Sequence, residues 1–157
     1  METSKPTNQP KRGFTIIEVI LVLAIAGLIF AIVFSGLPAV QRARRDTARK
    51  QDIADLVSEI EIYASRNRGS YPTTLADVNS VIDEQITNTG KEFRDPQTAV
   101  AYKGNITITT SAPTDTGHIS YSPSAQCDGN TITANSFSRT YAVSIKLEQD
   151  RYCLDSL

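Results

Sequence analysis

The run from Phe14 to Leu37, FTIIEVILVLAIAGLIFAIVFSGL, limits what this chain can become, because its only charge is Glu18. At about 1.5 Å per residue a helix of that length spans roughly 36 Å, enough to cross a hydrocarbon core of about 30 Å. The run is apolar on every side and has no 3.6-residue stripe, so it is a membrane span or a helix enclosed on all faces. A chain of 157 residues can scarcely enclose it. Such a helix lives in lipid or among copies of itself. A carboxylate inside it is costly unless paired, which makes Glu18 a functional residue by default.

Charge is segregated along the rest of the chain. Residues 1–13 carry Lys5, Lys11 and Arg12 against Glu2, and residues 42–50 carry Arg42, Arg44, Arg45, Arg49 and Lys50 against Asp46. Residues 51–157 hold eight basic and fourteen acidic side chains, a net of -6. Both flanks of the apolar run are basic, so the positive-inside rule is ambiguous and, counted naively, puts the C-terminal region in the cytoplasm. Cys127 and Cys153 lie in a polar, turn-rich region and point the other way, to an oxidising outer compartment. A net charge of -1 argues against nucleic-acid binding by bulk charge. One His (His118) and two Cys leave too few ligands for an ordinary zinc site, and no Gly spacing fits a phosphate loop. His118 reads as a surface or strand residue, and Asp128-x-Asn130 is too short a set of oxygens for calcium. These residues form no catalytic constellation and call for no cofactor; the chain reads as a building block.

No small-residue cleavage site follows the apolar run, as an ordinary secretory signal would require. Instead Lys11-Arg12-Gly13-Phe14-Thr15-Ile16-Ile17-Glu18 precedes it. This segment resembles the processing site of type IV pilins and related filament subunits: a Gly, a following Phe, and a Glu at the fifth position after the Gly, ahead of an apolar helix. The resemblance implies that residues 1–13 are a leader, that a prepilin peptidase cuts between Gly13 and Phe14, and that the new Phe14 amine is methylated. It also implies that Glu18 of one subunit neutralises the Phe14 amine of its neighbour and sets the stagger of packed helices. The plainer alternative is a signal-anchor helix with Glu18 at the headgroup level.

After the 14–37 segment, Ser35-Gly36-Leu37-Pro38 interrupts the pattern, since Pro38 removes a backbone donor and Gly36 weakens the helix. Two readings stand: a span that ends with a second helix beginning at Pro38, or a spine that unwinds locally at Gly36 and Pro38 on assembly. Over 38–69 the pattern is amphipathic, with Ile53, Leu56, Val57, Ile60, Tyr63 and Ala64 on one stripe and Asn67-Arg68-Gly69 as the stop. Arg42, Arg44, Arg45 and Arg49 precede that stripe, to meet anionic headgroups, acidic patches of neighbours, or simply water. Thr73 or Thr74 caps a short helix reaching about Ile86, and Asn88-Thr89-Gly90 and Asp95-Pro96 read as turns. Strands are expected over Val100–Lys103, Asn105–Thr110, Ile119–Ser122 and Phe137–Leu147, the last alternating like a half-buried antiparallel strand.

The fold expected is α+β: a long N-terminal helix whose amphipathic half packs on an antiparallel sheet of three to five strands in a head over 70–157, the pilin architecture. By the same resemblance Cys127 and Cys153 form the bridge of the C-terminal loop; two free thiols are the alternative. The implied function is structural: a pilus subunit polymerising with other copies of itself and supporting adhesion, twitching motility or DNA uptake. Its partners are then the prepilin peptidase, the inner-membrane assembly machinery, the membrane before assembly, and a host surface or DNA outside. The protein would be single-pass before assembly, N-terminus cytoplasmic and head outside, and afterwards an extracellular filament. A type II secretion pseudopilin or minor pilin is the runner-up, and a membrane-anchored binding domain that never polymerises is the third reading.

Overall fold

The computed structural model describes residues 13–86, 90, 92–135, 137 and 139–156. The expected leader, apart from Gly13, lies outside them, as do Asn88 and Thr89 of the expected turn. The chain divides into two compact units, Met1–Val40 and Gln41–Leu157.

Helix α1 runs Ile16–Arg66 and contributes to both units. It passes through Gly36 and Pro38 without interruption, so neither an end of the helix nor an unwound turn is present there. Pro38 deprives the Phe34 carbonyl of its donor four residues on. With its other hydrogen bonds kept, the helix of the single chain continues through both residues.

In the second unit α1 presents Ile53, Leu56, Ile60 and Ala64 as a buried stripe, with Val57 and Tyr63 packed at its border. The helix stops as expected. Arg68 adopts φ 58°, Gly69 follows at φ 78°, and the Gly69 N–H donates to the Ala64 carbonyl at 2.8 Å, the long bond of a Schellman cap. Helix α2 spans Leu75–Val81 and continues as one wide turn, Ile82–Ile86. Thr74 is its cap: Asp77 N–H donates to Thr74 Oγ1 at 3.2 Å and Thr74 N–H donates to Asp77 Oδ2 at 3.1 Å, a reciprocal box.

Six strands follow: β1 Ile106–Ile108, β2 Ile119–Pro123, β3 Ala125–Asp128, β4 Thr131–Ala134, β5 Tyr141–Lys146 and β6 Arg151–Asp155. Four form a sheet in the order β1-β2-β5-β6. The β2–β5 and β5–β6 pairs are antiparallel, but β1 lies parallel to β2, with Ile106 opposite Ile119, so the sheet is mixed and not purely antiparallel. The segment expected as a strand over 100–103 is instead a 3-10 turn, Tyr102–Asn105. Gly104 and Asn105 disfavour extension, and the Tyr102 ring is drawn in against Phe93, with centroids 4.8 Å apart.

The core of the second unit lies between the α1 stripe and one face of the sheet, where Tyr121, Tyr141, Val143 and Ile145 are fully buried. This is an α+β arrangement, a helix packed on a sheet, consistent with the pilin architecture. Strand β5 departs from the half-buried expectation. Tyr141 through Ile145 are all buried, because the β3–β4 hairpin covers the other face through Ala125 and Ile132, against Ala142 and Cys153. Strand β5 also starts later than expected, at Tyr141, and Phe137 stands exposed before it.

Candidate assembly site

In the N-terminal unit Gly13 is open, with nothing within 4 Å of where a Cβ would stand, and Phe14 is 89% exposed. Among the described residues nothing covers the junction. Next to it, Thr15 and Glu18 hold each other. Thr15 N–H and Thr15 Oγ1 both donate to Glu18 Oε2 at 3.0 Å, and Glu18 N–H lies 3.4 Å from Thr15 Oγ1. This is a capping box at the start of α1, and Thr15-x-x-Glu18 ahead of an apolar run is its sequence signature. It gives the carboxylate a role in the single chain that the sequence reading passed over.

On either side of Glu18, large apolar side chains from Ile16 to Leu37 stand exposed among the described residues. Among the described residues α1 is the one helix long and apolar enough to cross a membrane. Gly27, Ala31, Ser35 and Ala39 recur every four residues along it, and the Ser35 hydroxyl is turned back to the Ile32 carbonyl at 2.8 Å.

In the second unit the basic run resolves into separate fates. Arg49 is fully buried and hydrogen-bonded to three side chains. Its Nε donates to Asp95 Oδ2 at 2.7 Å, Nη1 to Asp46 Oδ1 at 2.9 Å, and Nη2 to Gln97 Oε1 at 3.2 Å. Asp95 Oδ1 accepts from the N–H groups of Gln97 and Thr98 at 3.0 and 2.9 Å. Burial works against both charges, yet the bonds between them and those N–H groups outweigh it: the Asp95 carboxyl lies below its ordinary pKa and the Arg49 guanidinium above. Glu148 accepts from Arg45 Nε, has Arg42 Nε at 3.6 Å and Arg49 Nη1 at 3.7 Å, and its pKa is lowered chiefly by the Arg45 bond. Arg49 is therefore unavailable to headgroups or neighbours, and Arg45 and Arg42 lean on a carboxylate of their own chain. Asp95 and Glu148 are the residues that reasoning from the sequence missed; Asp95-Pro96 was visible only as a turn.

Cys127 of β3 and Cys153 of β6 are bridged, with Cα atoms 5.9 Å apart. Cys127 N–H also donates to Asp155 Oδ2 at 2.7 Å, so a covalent and a polar tie fasten the same hairpin to β6.

Residues 8–34 match a family model described as the prokaryotic N-terminal methylation motif. The chain carries the class III signal peptide of type IV pilin-like proteins. The motif belongs to structural rather than catalytic proteins and implies processing by a prepilin peptidase and assembly into filaments of the type IV kind. The pilin-like signal, the apolar helix and the bridge fit a membrane-anchored precursor that becomes a filament subunit. The match stops at Phe34, and no curated protein and no solved structure matches the chain.

Proposed function

We propose that this chain is a body subunit of a type IV pilus. Its 14–37 segment anchors the precursor, with the N-terminus in the cytoplasm and the head outside. Cleavage between Gly13 and Phe14 frees an amine, and the same helix then packs among its copies in the fibre. The carrying observation is the class III signal at residues 8–34 joined to a helix whose large apolar side chains stand exposed among the described residues. Moving that surface from lipid into a helical bundle leaves Glu18 as the one charge to be compensated, and the Phe14 amine of a neighbour is the cation that cleavage creates. In the single chain the Thr15 bonds hold the carboxylate until that cation arrives. Gly36 and Pro38, where α1 already lacks one hydrogen bond, are where the spine would loosen on packing.

The disulfide supports an outer, oxidising location for the head and favours a pilin over a pseudopilin, because it fastens the C-terminal strand where the resemblance implies a bridged loop. The finished fibre would serve adhesion, twitching motility or DNA uptake. Intact mass and N-terminal sequencing of the chain from cell envelopes and from sheared surface material test the proposal. The expected product begins at Phe14, carries one methyl group and is found in the sheared fraction. A chain that begins at Met1 and stays in the membrane would overturn it in favour of an anchored domain. Normal fibre numbers in cells lacking the chain would make it a minor subunit or pseudopilin.

A further inference from the structure

A groove of about 250 Å³, lined by polar and apolar surface alike, opens in the second unit, between the segment that leaves α1 and the junction of β2 with β3. Ser70, Tyr71 and Thr73 line one wall; Ser124 and Arg139 line the other. Both walls are fixed. Gly69 and Ser70 are held by N–H bonds to Ala64 and Asn67, and Ser124 N–H donates to the Thr140 carbonyl at 2.8 Å while its own carbonyl accepts from Asn135 N–H at 2.8 Å. Tyr71 is held as well: its ring lies 4.6 Å from that of Tyr141, and the carbonyl of the next residue, Pro72, accepts from Tyr121 Oη at 2.8 Å.

In one wall Ser124 sits at φ 55°, a left-handed value that residues with a Cβ seldom adopt. What the walls present is unspent. Among the described residues the hydroxyls of Ser70, Thr73 and Ser124 and the guanidinium of Arg139 have no side-chain partner in the protein, whereas the hydroxyls of Tyr71 and Tyr141 are engaged by Glu61. An arginine fork and three hydroxyls lining one groove, with an aromatic residue among them, match a compact carboxylate that also carries hydroxyl groups. The volume suits a single sugar unit.

We infer that this groove binds an acidic monosaccharide unit, its carboxylate on Arg139 and its hydroxyls on Ser70, Thr73 and Ser124. The inference does not depend on polymerisation, since every residue it uses belongs to the second unit.

The test uses the full chain in detergent micelles, titrated with glucuronate, with glucose as the neutral counterpart and with inorganic phosphate, followed by calorimetry. Glucuronate is expected to bind with a millimolar dissociation constant, and glucose and phosphate at least about tenfold more weakly, because a charge-assisted arginine bond is the main discriminator. Arg139→Gln should lose at least about tenfold in glucuronate affinity with an unchanged melting temperature. Ser124→Ala, which leaves the charge in place, should weaken glucuronate and leave phosphate unaltered. No saturable glucuronate binding, equal binding of phosphate, or full binding by Arg139→Gln would each overturn the inference. If Arg139→Gln fails to fold, a paired Ser70→Ala and Thr73→Ala variant decides: undiminished glucuronate binding there overturns it.

Discussion

Thr15 and Glu18 satisfy one another within a single chain, so removing the carboxylate removes two things at once: a helix cap and the proposed partner of a neighbour's amine. Two substitutions separate them. Glu18→Gln keeps an oxygen for Thr15 but no charge; Glu18→Ala keeps neither. If the amine pairing drives assembly, both variants should insert into the membrane normally and both should lower sheared fibre yield by about tenfold or more, as loss of one compensated charge implies. Fibre yield restored by Gln would reduce Glu18 to a cap. Arg49 is the corresponding residue in the second unit. Arg49→Met leaves Asp95 buried beside no cation and should cost about 3–5 kcal/mol in denaturant unfolding, with the midpoint lowered. The sequence held the first of these sites in plain view, since Thr15-x-x-Glu18 is a local pattern. It did not hold the second, because a run of arginines reads the same whether water or a distant carboxylate meets it. Asp95 and Glu148 join Arg49 only once the chain has folded.

Among the elements, the helices were the most legible. The three- and four-residue spacing from Ile53 to Ala64 marks a stripe by itself, and Thr74 with Asp77 marks a start. The strands were legible only where apolar residues alternate, as in β2 and β5. Strands β3, β4 and β6 are short and rich in Thr, Gln, Asp and Cys, and their pattern arises from what they cover rather than from their own composition. The parallel direction of β1 is a non-local choice that no local pattern encodes. The hairpin of β3 and β4 also has the smallest core, Ala125 and Ile132 on Ala142 and Cys153, so the bridge should supply much of its attachment. Replacing Cys127 and Cys153 together by Ser should lower stability by about 3 kcal/mol in the chain-entropy account. Hydrogen exchange should then rise first over 125–134 while β2 and β5 keep their protection. Uniform loss of protection would show that the bridge holds the whole sheet and not one hairpin.

For the molecule as a whole, the ion network sets how stability follows pH. Asp95 and Glu148 have pKa values lowered from 3.8 and 4.5, so the folded state favours their charged forms. Groups of that sign contribute fully above their ordinary values and lose the contribution as pH falls through the lowered ones. The melting temperature of the full chain in detergent should therefore be level from about pH 7 to pH 5 and drop below about pH 4. Asp95→Asn should start lower at neutral pH and fall less on acidification; an acid limb identical to that of the unaltered chain would place the titration elsewhere. The bridge has another consequence at this scale. It ties residue 127 to residue 153, and the exposed turn at Gly129 and Asn130 lies inside the circuit so formed. A protease that cuts the turn adds a water molecule and separates nothing. Nicked heads would run as whole chains until a reductant is added, and damage collected at the surface would stay hidden from any separation by size made without one.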